Sequence, residues 1–309
     1  MKQLKPVPCI VIILACIAIF PSCKKDTIPT AIISSTPLQA FINSDTSLSV
    51  FYTAIQKAAD NSLYGGADSV TVLAPTNSAF ALQGVTVSSI SSMSVMLLDS
   101  LLRYHFIPSS ATLITGIYTA YSSKLGPAVY GYGNTDGSSN YFNGSLAILQ
   151  NIPGSMATVY KLSVPLQVPA ISSAQLIASD TSLTYFAEAV KHTSLNLLPA
   201  NGWNTILAPV NSAFVAAGYA TLASIDSADA GALTTILQYH ILPAQYFTNS
   251  FIGSASVGSS DGNYINLTFS NGVAQFTGTG NLNAATIITS NRVAGSNSII
   301  HTISGVLMP

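Results

Sequence analysis

The sequence predicts an α+β protein made of two tandem copies of one domain. Three observations predict it. Thr71–Phe80 reads TVLAPTNSAF and Thr205–Phe214 reads TILAPVNSAF, so one decapeptide is written twice with eight of its ten positions identical. Other pairs keep the same order: SDTSL at Ser44–Leu48 and Ser179–Leu183, then LLRYHFIP at Leu101–Pro108 and ILQYHILP at Ile236–Pro243. The period, about 135 residues, is too long for a solenoid repeat and long enough for a domain. Within each copy, helical periodicity fills the front and Thr-, Ser- and Gly-rich segments fill the back, without the strict strand–helix alternation of a doubly wound sheet.

The chain opens with a targeting pattern. Lys2 and Lys5 precede an apolar run, Ile10–Phe20, about the length of a signal-peptide core and short for a membrane span. It closes on Phe20-Pro21-Ser22-Cys23, which resembles a lipobox with Phe20 where Leu is usual. The expected organisation is a lipoprotein signal peptide at 1–22, lipidation of Cys23, a tether at 23–35, and domains at 36–169 and 170–309. Cys9, Cys16 and Cys23 are the three cysteines, all in the leader. Both domains therefore lack disulfides, thiolate metal sites and cysteine nucleophiles.

Each copy then reads through in order. After SDTSL, the spacing of Leu48, Phe51, Tyr52 and Ile55, and of Leu183, Phe186 and Val190, predicts a helix capped by Asp45 or Thr46, and by Asp180 or Thr181. Val70–Leu73 and Thr205–Leu207 are β-branched runs and predict strands, which Pro75 and Pro209 stop because proline offers no N–H. Asn77 and Asn211 are expected to cap a short helix carrying Phe80 and Phe214. Met96, Leu97 and Leu101, like Leu233, Ile236 and Leu237, predict an amphipathic helix ending in Tyr104-His105 and Tyr239-His240. Asp136-Gly137, Asn143-Gly144, Asp261-Gly262 and Asn271-Gly272 are hairpin turns. The last repeat, VYKLSVPLQVP at Val159–Pro169 against IIHTISGVLMP at Ile299–Pro309, is weak.

These landmarks resemble the fasciclin (FAS1) family. Thr71, Pro75, Asn77 and Phe80, with Thr205, Pro209, Asn211 and Phe214, fit its first motif. Tyr104-His105 and Tyr239-His240 fit its middle Tyr-His pair. Asn297 to His301, running on to Pro309, fits its last motif with Ser298 in place of Gly; in the first copy, Tyr160 or Lys161 stands where the histidine belongs. The resemblance implies a β-wedge or sandwich flanked by short helices, and a role for the motif residues that is mainly structural. It also implies a non-catalytic adhesion or binding module. In animal relatives an Asp-Ile pair near the last motif is associated with integrin binding; here Asn291-Arg292 stands at that place.

Composition narrows the function classes. Hydrophobic residues make up 49% of the chain, charged residues 7%, and the net charge is −1, which gives no footprint for nucleic acid. The surface is expected to be hydroxyl- and amide-rich and to permit weak homophilic association. The histidines (His105, His192, His240 and His301) lack acidic or thiol neighbours at ligand spacing. The motif histidines are expected to be buried against backbone carbonyls, and His192 to be exposed. No cofactor, metal or catalytic group is expected. Tyr118, Tyr121, Tyr130, Tyr132 and Tyr141 are either cross-strand pairs covering the core or an exposed platform for glycan. The expected role is a lipid-anchored envelope protein on the surface or periplasmic side of an outer membrane, binding protein or glycan; the alternative is an accessory subunit of an uptake or envelope complex.

Overall fold

The computed structural model describes residues 36–309 apart from 61–62, 64–68, 171, 198–201, 271–272 and 296. Cys23, the signal segment and the tether lie outside the described residues, as does the Asn271-Gly272 turn.

Both copies use one plan. In the first, helices α1 (Pro37–Ser44) and α2 (Ser49–Ala58) precede strand β1 (Thr71–Pro75). Three helices follow: α3 (Asn77–Leu82), α4 (Val87–Ser92) and α5 (Val95–Tyr104). Strands β2 (Phe106–Ile107), β3 (Thr119–Ser122), β4 (Ala128–Gly133), β5 (Asn140–Phe142), β6 (Ser145–Asn151) and β7 (Thr158–Leu162) complete a seven-stranded sheet in the order β2-β1-β7-β6-β5-β4-β3. The second copy repeats this with α6 (Ser173–Ser179), α7 (Thr184–Thr193), β8 (Asn204–Pro209), α8 (Asn211–Ala216), α9 (Leu222–Asp226) and α10 (Ala230–Tyr239). Its strands β9 (Ile241–Leu242), β10 (Ser256–Gly258), β11 (Tyr264–Ser270), β12 (Val273–Thr277), β13 (Ala285–Ala294) and β14 (Ser298–Ile303) follow, in the sheet order β10-β11-β12-β13-β14-β8-β9.

The repeated decapeptide supplies an interior strand of each sheet, second from one edge. β1 runs parallel to β7 and β8 parallel to β14, so the last strand of each copy returns beside the first; all other neighbours are antiparallel. β1 and β8 are buried along their whole length, as an interior strand covered on both faces should be. The prolines sit where expected, as the last residue of each strand.

The helix-capping expectation needs correction. Thr76, not Asn77, caps α3 by accepting from the Ala79 N–H, and Val210 caps α8 without a side-chain bond. Asn77 is already helical and reaches back to α2: its Oδ1 accepts from Val50 N–H at 3.0 Å, and its Nδ2 donates to Thr46 O at 2.9 Å and to Ser49 Oγ at 3.0 Å. Asn211 does the same for α7, through Tyr185 N–H and Thr181 O. Each asparagine thus caps the preceding helix across tertiary space. Asp45 and Asp180 cap the short 3-10 turns at Thr46–Leu48 and Thr181–Leu183.

In α5 the buried face is Leu98 and Leu102 rather than Met96 and Leu97, which are exposed. The expected face is one residue out of step in the first copy, whereas Leu233 and Leu237 of α10 are buried as expected. The predicted turn at Asn143-Gly144 joins β5 to β6 with φ of 45° and 75°, the two positive values a two-residue hairpin of the right twist requires.

A candidate binding cleft where the two copies meet

The motif residues form a lock inside each copy. His105 closes α5: its Nδ1 donates to Leu101 O at 2.8 Å, and its Nε2 accepts from Leu166 N–H at 3.0 Å. His240 repeats both bonds, to Ile236 O at 2.8 Å and from Leu307 N–H at 2.9 Å. The histidine thus bolts the end of a helix to the segment that follows the last strand. Thr71 Oγ1 donates to Ser109 O and accepts from Ala111 N–H, while Thr205 Oγ1 bonds Ala244 O and Tyr246 N–H in the same way. The Tyr104 hydroxyl donates to Ala128 O and accepts from Asn143 Nδ2; the Tyr239 hydroxyl donates to Tyr264 O. Phe80 and Phe214 are buried in the helical half of their copies.

The parallel ladders fix the register of the last motif. Leu73 lies opposite Tyr160, and Leu207 opposite His301, so Tyr160 holds the histidine position and Lys161 does not. The sequence pairing of Val159 with Ile299 is therefore off by one; Thr158 is the partner of Ile299. His301 donates from Nε2 to Tyr246 O at 2.8 Å and accepts at Nδ1 from Asn291 N–H. Tyr160 instead packs edge-on against Phe142 and directs its hydroxyl toward Ala111 O. Asn297 donates to Gly202 O beside the last strand.

All three motif histidines are fully buried, and each has one ring nitrogen donating and the other accepting from a backbone N–H. That arrangement holds the neutral ring. Burial pushes their pKa values down to about 4, against the partial support of the carbonyl each ring faces. None has a free nitrogen for a substrate. His192 is half-buried, not exposed, with Nε2 bonded to Ala228 O. Among the described residues, no group of three or more His, Cys, Asp or Glu side chains could hold a metal.

The tyrosines do something else than expected. They are neither an open platform nor merely cross-strand pairs. Tyr130 stands edge-on to Trp203 with ring centroids 4.8 Å apart, and Tyr118 lies 5.3 Å from Phe247, so both tyrosines join the first copy to the second. The Tyr118 hydroxyl bonds Asn249 Oδ1 and Ser250 Oγ across the junction, and burial pushes it up to about 12. Tyr132 stacks behind Tyr118, and Tyr141 behind Tyr132. Tyr121 turns inward, against Phe142 and Thr112 O. All five are buried or half-buried.

The junction layer also contains Val293 and Ile299, with Phe247 fully buried at its centre. Sequence reading missed its second-copy half, although a signal exists. The first-copy counterparts of Trp203, Phe247 and Ile299 are Ser69, Thr112 and Thr158. The second copy is apolar where the first is polar, because only the second carries this face of the contact. The contact thus closes within one chain and cannot repeat onto a further copy through the same surfaces.

Beside this layer lies a cleft of about 340 Å³, within the range of small-ligand sites. Tyr141 and Gly144 of the first copy form one wall, and Thr248, Asn249, Ile252, Phe269, Val273 and Ile288 of the second form most of the rest. None of the described residues that line it is charged. The Asn143-Gly144 turn seats against Asn291, which lies in β13 at a φ of 59°; Asn291 also bonds Thr248 through its Nδ2 and Oδ1. A Cβ at Gly144 would lie 2.6 Å from the Asn291 amide, so a glycine is required for this approach. Asn291 is therefore part of the junction.

Comparison with known proteins adds the family. The Fasciclin domain model matches residues 46–164 and again 181–309. The chain belongs to the fasciclin domain family. The FAS1 plan is thus present twice in tandem, in the mixed α+β form the sequence predicts. Protein sll1483 of Synechocystis sp. (strain ATCC 27184 / PCC 6803 / Kazusa) is 30% identical over 144 residues, covering 45% of this chain and 74% of that protein. A solved FAS1 domain pair from the insect cell adhesion molecule Fasciclin I aligns over 85% of this chain and 97% of its own, at 16% identity and a TM-score of 0.40. FAS1 domains are commonly non-catalytic modules that mediate protein or glycan interactions. In this chain the FAS1 motif residues build the frame, and the cleft lies where the two FAS1 copies meet.

Proposed function

We propose that this protein is a lipid-anchored binding module of the cell envelope, which holds a protein or glycan through its paired FAS1 domains without chemistry. The match of the family model to both copies carries this reading. The junction cleft supports it: it is concave, neutral, and furnished with amide and hydroxyl groups next to apolar walls. The leader ending in Ser22-Cys23 supports the anchor. No helix among the described residues is long and apolar enough to cross a membrane, so attachment in this reading rests on the lipid at Cys23.

Four measurements test the reading. Metabolic labelling with a palmitate analogue should mark the wild-type protein and not the Cys23→Ala variant; an unlabelled wild type removes the anchor. Protease shaving of intact cells should digest both domains, whereas digestion only after lysis would assign them to the periplasmic face. Cells displaying the wild-type protein should bind partner cells or matrix polysaccharide more than cells lacking it, and equal binding would remove the adhesive role. Weak homophilic contact between molecules belongs to the same proposal and must use a surface other than the closed junction. Analytical ultracentrifugation at high concentration should show reversible association; a strict monomer would refute it.

A further inference from the structure

The junction cleft opens where the second sheet splits. β12 and β13 share only two ladder pairs among the described residues, Gln275 with Thr286 and Phe276 with Ala285. Beyond Thr286, β13 pairs among the described residues with β14 alone, through register shifts at Ile287/Thr289 and Thr289/Arg292. Bulges of this kind bend a strand and increase its twist, which carries β13 away from its neighbour. The side chains flanking the gap, Val273 on β12 and Ile288 on β13, line the cleft and are 42% and 57% exposed. Phe269 and Ile252, 40% and 60% exposed, continue the same apolar wall. Exposed apolar side chains gathered around a concavity mark an interaction site rather than ordinary surface.

Building on the binding-module reading, we propose that this cleft takes an extended, uncharged peptide segment of a partner protein, laid along the β12-facing side of β13 between Thr286 and the Gly144 turn. Three features fix the occupant. A strand flank without a ladder partner among the described residues offers main-chain pairing to an extended chain. The lining carries no charge that could pair with an ionic ligand, and burying an unpaired charge there would be costly. Apolar side chains at the mouth, with Thr248, Asn249 and Ser290 within the lining, suit a segment that alternates apolar with hydroxyl or amide residues. A neutral glycan would use the polar groups but leave Ile252, Val273 and Ile288 without partners.

The test uses the full chain as bait for a displayed library of random heptapeptides. Each enriched peptide is then measured against wild type, Ile288→Lys and Met96→Lys. Ile288 and Met96 are both exposed, so neither substitution threatens folding, and Met96 lies on α5 away from the cleft. The expected result is a set of uncharged peptides whose affinity falls at least tenfold in Ile288→Lys, is unchanged in Met96→Lys, and is lost on N-methylation of alternate peptide amides. Failure to enrich any Ile288-dependent peptide, enrichment of charged cores, or binding that survives N-methylation would each overturn the proposal. So would displacement of the peptides by a soluble neutral polysaccharide with its own Ile288 dependence. If these fail while cell or matrix binding persists, the binding-module reading stands and only the peptide assignment falls.

Discussion

Acid should unfold the second FAS1 domain before the first, because of where the buried histidines lie. His105 is the single motif histidine of the first domain; His240 and His301 both lie in the second. Each is neutral in the fold, with a pKa near 4 against an ordinary value of 6.5. The unfolded chain therefore binds more protons than the folded one between about pH 6.5 and 4, so stability falls as pH drops through that window and the loss levels off below it. At pH 5 the linkage relation gives a loss of about 2 kcal/mol per histidine relative to neutral pH, so about 4 kcal/mol for the second domain and about 2 kcal/mol for the first. Asp45 and Asp180 act in a different window. Burial raises them, but hydrogen bonds from Ser47 and Lys161, and from Ser182 and Arg292, outweigh it and hold both below the usual carboxylate value. Their contribution is present above about pH 4 and disappears only below it. Urea unfolding at pH 7 and pH 5 is followed by emission of Trp203, the single tryptophan, which reports the second domain together with its contact to Tyr130; the His240 variant then separates the histidine effect from the junction. His240→Gln should lower stability at pH 7, yet its loss between pH 7 and pH 5 should be about 2 kcal/mol smaller than in wild type. An identical pH dependence in wild type and variant would refute the reasoning.

Two further outcomes follow from the same geometry. Asn77→Ala should destabilise the first domain by about 1–2 kcal/mol in denaturant unfolding, because it strips the cap from α2, whereas the standard expectation for this position is loss of an α3 cap only; adding Thr76→Ala should give a second, additive loss of about 1 kcal/mol, and non-additivity would show that both serve one helix. Phe247→Ala removes the centre of the junction layer and should cost about 3–5 kcal/mol. It should also shift Trp203 emission to the red and widen the gap between the domain unfolding transitions, and unchanged emission would show that the layer does not couple the two domains.

Much of the frame was legible in the sequence because its causes are local. A β-branched run followed by proline makes a strand that ends; a helix that ends in Tyr-His brings a ring nitrogen within reach of the carbonyl four residues back. Two positive-φ residues in Asn143-Gly144 dictate a tight hairpin. The repetition of these signals showed that the unit occurs twice. The role of Asn77 is not legible in the sequence for a definite reason: a capping side chain is written identically whether it serves its own helix or another one, and only the approach of α2 decides.

What the sequence by itself determined is therefore the duplication of an α+β unit and its charge-poor composition, which follow from repetition, periodicity and residue type, while the FAS1 plan and the structural role of the motif histidines came with the resemblance that the motifs carry. The tertiary structure alone decided how the copies meet. Tyr118 and Tyr130 are amphipathic side chains that suit a glycan platform, a sheet face or a protein contact equally well. Their fate depends on whether another apolar surface covers them, and Trp203 and Phe247 reach them only after both domains have folded. The cleft has the same origin: it exists because bulges draw β13 away from β12 while the Gly144 turn closes the other side, and neither distance is encoded in any single stretch of chain.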